Sequence, residues 1–201
     1  MNRLRLRPTV YQCEPMRRSQ EDIEDELLIL RCQDGERDAL ASLVARWQPR
    51  FGAFAWRLTG DRESARDVVQ ESWLAIVKGL RRLDDPACFR TWAYRIVRNK
   101  CADWTRRRVV RREGERLLNE ETDHGDTTRA VDSEANEEAS VIRQAMEELP
   151  PEQRVVLSLH YLDGMGLQAI SESLGVPVGT VKSRLFLARN RLRSVLERVT
   201  S

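Results

Sequence analysis

The chain has only two histidines and four cysteines, and neither type is spaced for a metal. Cys13, Cys32, Cys88 and Cys101 form no C-x-x-C pair and the histidines stand far apart, so no zinc site is expected. No apolar run approaches the ~20 residues a membrane-spanning helix needs. The arginines near the N-terminus are not followed by an apolar stretch, so that segment does not read as a signal peptide. A cytoplasmic chain with free thiols is the expectation, with packing as the ordinary use of Cys88 and Cys101. No phosphate-cradling glycine loop and no nucleophile–base set stands out, so neither an enzyme nor a bound cofactor is expected.

What the chain does have is charge. Charged residues make up 33% of its 201 positions against 41% hydrophobic, and the mean hydropathy is −0.55. The net charge of +2 hides an uneven spread: +8 over residues 1–112, −8 over 113–138 and +2 over 139–201. A basic body broken by an acidic insert points to a polyanionic partner. The periodicity throughout is helical, and the expected fold is all-α: two small helical domains joined by a flexible acidic linker.

The most informative stretch is LQAISESLGVPVGTVKSRLFLARNRLRSVL, residues 167–196. Ile170 and Leu174 share one face of a short helix, which Gly175 ends. Val176 is expected as a buried plug, and Pro177 suits the start of a second helix. That helix should bury Val181, Leu185, Ala188 and Leu192 while Lys182, Arg184, Arg189, Arg191 and Arg193 stay outside. A short helix, a glycine turn and a longer basic helix make a helix-turn-helix, whose second helix enters the major groove. The small residues Gly179, Thr180 and Ser183 sit where backbone must approach phosphates.

Residues 1–20 hold alternating Arg and Leu with two prolines and read as a disordered arm. The first domain is expected over 21–108. Acidic residues open a helix at Glu21, which stops near Gly35. A second runs from Arg37 to Thr59, with Pro49 as a candidate kink and Gly60 as its end. Asp61 caps a third, from Arg62 to about Leu83, with Val69, Trp73, Ile76, Val77 and Leu80 toward the core. Asp67, Gln70 and Glu71 stay polar on another face. A fourth helix starts near Ala87. From Phe89 to Arg112 it carries nine basic residues against the single acid Asp103, interleaved with Trp92, Tyr94 and Trp104. Cations neutralise phosphates and aromatic faces stack on unpaired bases; core packing is the other use for such rings. Residues 109–138 read as the linker, with a root-mean-square span of roughly 30 Å. The second domain, 139–199, adds a helix ending at Pro150-Pro151 and another closing at Asp163-Gly164.

GVPVGTVKSRL, together with DVVQE (67–71) and the string F-x-x-W-x-Y-R-I-x-x-N (89–99), resembles the sigma-70 family of RNA polymerase sigma factors, in particular its extracytoplasmic-function group. The resemblance implies three surfaces. Asp67, Gln70 and Glu71 would grip the clamp helices of core RNA polymerase, the second domain meeting its flap. Trp92, Tyr94, Arg95, Arg98, Asn99 and Lys100 would hold the melted −10 strand. Gly179, Thr180, Lys182, Ser183, Arg184 and Arg189 would bind duplex promoter DNA at the −35 element. An anti-sigma partner is implied as well, without insertion in the membrane. Ser171 and Leu187 depart from the pattern, which favours alanine and a basic residue at those places. A stand-alone helix-turn-helix regulator is the rival reading.

Overall fold

The computed structural model describes residues 20–118, 145–146 and 148–200. Among them every regular element is a helix: α1 Gln20–Gln33, α2 Arg37–Thr59, α3 Arg62–Leu80, α4 Phe89–Leu118, α5 Pro151–Tyr161, α6 Leu167–Leu174 and α7 Val178–Thr200, with a 3₁₀ turn at Pro86–Cys88. The N-terminal arm and most of the predicted linker and 139–149 helix lie outside the described residues. No described helix is long and apolar enough to cross a membrane, and no described cluster could hold a metal ion.

Helices α1–α4 form one unit around an aromatic centre. Trp47, Phe51 and Phe54 come from one face of α2, and Phe89 and Tyr94 come from α4; all are buried. The Tyr94 ring meets its neighbours edge-on, with Phe54 and Tyr94 centroids 4.9 Å apart and Phe51 and Tyr94 5.4 Å apart, the arrangement the ring quadrupole favours. Helix α2 continues through Pro49, so the expected kink does not divide it. Asp61 caps α3 by accepting from the Ser64 amide at 2.7 Å, as its sequence position predicts.

Helix α3 ends at Leu80 rather than Leu83. The Gln33 side-chain amide donates to the carbonyls of Leu80 and Leu83, at 2.9 and 2.8 Å. It thus satisfies acceptors that another turn of helix would have used. Asp85 then caps the 3₁₀ turn, accepting from the Ala87 amide at 3.0 Å, and α4 begins two residues later than expected. It runs on to Leu118, so the domain boundary expected at 108 falls inside a helix.

Helices α5–α7 form the second unit, over Leu159, Ile170, Val181, Leu185 and Ala188. Gly175 turns the chain between α6 and α7 at φ 63°, its amide bonded to the Ser171 carbonyl, a backbone conformation that glycine alone adopts freely. Ser171 has a use that alanine would lack: its hydroxyl donates to the Val176 carbonyl at 2.6 Å and closes the turn. Val176 is half-buried rather than fully plugged. The two units are not held apart, because α6 packs on α4, α5 packs on α2, and one apolar cluster runs through both.

The free-thiol expectation holds for Cys32 and Cys101 but not for Cys88, which is disulfide-bonded. Burial pushes the Cys101 thiol up to about 12, which makes it a packing residue rather than a reactive one.

Candidate nucleic-acid and polymerase interfaces

Three groups of side chains correspond to the surfaces expected from sequence. On α3, Asp67 and Gln70 are exposed. Glu71 is not free: Lys100 reaches it at 3.2 Å and Arg107 at 3.5 Å. The Lys100 hydrogen bond holds its carboxyl below the ordinary range. One member of the polymerase set and one member of the strand set therefore neutralise each other across α3 and α4. Val77, expected in the core, is 41% exposed, and Leu74 is exposed beside it. At 100° per residue both fall near Gln70, so this face mixes polar and apolar groups.

On α4 the six strand candidates divide. Trp92, Arg95 and Asn99 follow one another along the helix at spacings of three and four; Asn99 is exposed, and Trp92 and Arg95 are half-buried. Arg98 is half-buried, with a guanidinium nitrogen 3.2 Å from the Asn99 side-chain oxygen. Lys100 turns to Glu71. Tyr94 does not face solvent at all: it is fully buried, and its hydroxyl donates to Asp163 Oδ1 at 2.8 Å. The reason is the width of the buried face. Helix α2 sets Trp47, Phe51 and Phe54 against the Tyr94 ring, and Asp163, from the segment between α5 and α6, covers its hydroxyl.

Trp92 is held against α3. A Cβ added at Gly79 would come within 2.7 Å of its indole Cζ2. Gly79→Ala is accordingly expected to push the ring out of place and cost about 1–3 kcal/mol. A drop in thermal midpoint with a shifted tryptophan emission would show this, and an unchanged spectrum would contradict the seat.

The contact between the units centres on Asp163. Besides the Tyr94 hydroxyl, Arg90 donates to its backbone carbonyl at 3.2 Å, and the Ser173 hydroxyl lies 3.3 Å from the Thr91 carbonyl. Burial pushes the Asp163 carboxyl up, against the opposing pull of Tyr94 and of Arg57, Arg50 and Arg90. Burial also lowers Arg57. A raised carboxyl binds a proton in the folded state before the unfolded chain does. Between the ordinary value of 3.8 and the raised one, this site therefore stabilises the fold as pH falls and loses that contribution as pH rises. Asp163→Asn should remove that component, so the variant should lose stability relative to wild type as pH falls through that window. Asp25, also raised mainly by burial, contributes in the same direction to both proteins. An identical pH dependence of stability in the two would show that Asp163 is not the titrating group.

On α7 the division is clean. Val181, Leu185, Ala188 and Val195 are buried, whereas Gly179, Lys182, Ser183 and Arg189 are exposed. Thr180 is half-buried and its carbonyl accepts from the Ser183 hydroxyl at 3.0 Å. Arg184 lies at the edge of the buried face and pairs with Glu152 of α5 at 2.6 Å, so it braces the helix pair. Phe186 and Asn190, which sequence reasoning passed over, are also exposed here. Their outward register, opposite the apolar stripe, was the available signal.

A helical unit with a strongly basic helix, joined to a second unit ending in a helix-turn-helix, defines a two-part DNA-binding protein. Residues 43–111 match the family model for sigma-70 region 2, and residues 140–192 match that for sigma-70 region 4. Together these matches cover more than half the chain, which belongs to the sigma-70 family and, by its curated relatives, to the extracytoplasmic-function group. The chain is 29% identical to the ECF RNA polymerase sigma-E factor of Haemophilus influenzae over 88% of its own length and 97% of the relative's. It is 28% identical to the RNA polymerase sigma-H factor of Pseudomonas aeruginosa, over 87% and 94%. Among solved structures, CnrH in complex with the cytosolic domain of CnrY is similar at 25% identity and a TM-score of 0.58, over 87% of this chain and 98% of that one. The sigma factor RpoE of Bartonella quintana, solved with the anti-sigma factor NepR, shares the fold at a TM-score of 0.61 and 22% identity, over 79% and 96%.

Proposed function

We propose that this sigma factor docks on core RNA polymerase through α3, anchors duplex promoter DNA through α7 and stabilises the unpaired strand along α4. The observation that carries the reading is the two-sided α7, with an apolar inner face and an outer face that exposes Gly179, Lys182 and Ser183. Asp67 and Gln70 are the polymerase contacts. Trp92, Arg95 and Asn99 are the strand contacts, with Arg98 and Lys100 supplying charge once released from their present neighbours. Tyr94 supports them from beneath. Its work is binding rather than turnover: each stacked base is worth about 1–3 kcal/mol, and mounting both units on one polymerase makes two weak contacts act as a strong one.

An anti-sigma factor is the proposed regulatory partner, supported by the complexes in which the similar structures were solved. Run-off transcription with purified core polymerase on a genomic library tests the proposal. Promoter-specific transcripts dependent on the chain are expected. Tight site-specific binding without polymerase, and no transcripts with it, would favour a stand-alone regulator instead.

A further inference from the structure

Helix α7 carries an apolar pair where a basic helix has least use for one. Phe186 is 61% exposed and Leu187 48% exposed. At 100° per residue, Ser183, Phe186, Leu187 and Asn190 all lie within about 60° of the direction opposite the buried stripe. Basic residues line both borders of this strip, Lys182, Arg189 and Arg193 on one side and Arg184 and Arg191 on the other. An apolar centre between two cationic edges fits a groove with phosphates along both walls and the base edges at its floor. The major groove displays one apolar group on those edges, the 5-methyl of thymine; every other feature is a hydrogen-bond donor or acceptor. Facing a guanine, cytosine or adenine edge, the Phe186 and Leu187 side chains would bury polar atoms without partners.

We infer that Phe186 and Leu187 are specificity-determining residues that read thymine methyl groups in the upstream duplex element. This rests on the duplex-binding role proposed above for α7, and it deepens that reading by naming the base class at the centre of the site. Ser183 and Asn190, on the same strip, supply the polar contacts to the neighbouring edges.

The test uses the full chain assembled with core polymerase. Upstream sites are selected from a duplex library randomised over that element, and each thymine in the selected site is then replaced by deoxyuridine, which removes only the methyl. Thymine should be enriched at neighbouring positions. Deoxyuridine at a read position should weaken wild-type binding about four-fold, the equivalent of ~0.8 kcal/mol for one buried carbon. Leu187→Ala should be insensitive at one such position and Phe186→Ala at another, with thermal midpoints matching wild type because both side chains are exposed. Selected sites without shared thymines would overturn the inference. So would an equal deoxyuridine loss in all three proteins. If deoxyuridine has no effect but the variants lose a protein partner, the pair is a protein contact and the inference is wrong. Selection of no sequence whatever would remove the duplex-binding role itself, a failure distinct from the others.

Discussion

Tyr94→Ala should lose about 3–5 kcal/mol of stability, the range for deleting a buried aromatic. Its ring is fully buried among Trp47, Phe51 and Phe54, and its removal also strips the hydroxyl from Asp163. In a chain of this size that is a fall in thermal midpoint of about 10 °C or more. Tyr94→Phe separates the two roles. It keeps the packed ring and removes only the hydroxyl, for about 1–3 kcal/mol. The measurement is a pair of thermal or urea melts. If Tyr94 instead projected to the unpaired strand, the alanine variant would melt with wild type and fail only in promoter opening.

The second large effect lies on α3. Replacing Asp67 and Gln70 together by alanine should weaken assembly with core polymerase roughly 100-fold, the scale of losing two central polar contacts in an interface. Both side chains are exposed, so the melting transition should stay where it is. Glu71→Ala alone should do less to assembly, because Lys100 and Arg107 already occupy that carboxylate. Binding within two-fold of wild type in the double variant would remove α3 from the interface.

The helices and the helix-turn-helix could be read directly from residues. Gly60 and Gly175 end their helices at positive φ, Asp61 caps α3, and the Val181–Leu185–Ala188 spacing marks the inner face of α7. Local chemistry decides such features, and it leaves its mark on neighbouring letters. The pairings that cross the chain left none. Nothing in the string from Phe89 to Asn99 says that Tyr94 is fully buried, Trp92 seated against α3 and Asn99 exposed, because that depends on which helix covers α4. Gln33 reaches carbonyls some fifty residues away, and Glu71 meets Lys100 across two helices. Val77 was misplaced for the same reason: its periodicity sits at the border of the stripe, and only the neighbouring helices settle which side is wet.

Gln33 has a consequence for where the first unit can be cut. The match to the region 2 family model begins at residue 43, yet Gln33, Ile29 and Asp25 precede it. Ile29 is in the core, Asp25 accepts from the Trp47 indole at 3.2 Å, and Gln33 pins the loop ahead of α4. A fragment trimmed to that match would lose the strut that sets the entrance of its basic helix. The span that the region 2 model matches is therefore shorter than the body that folds.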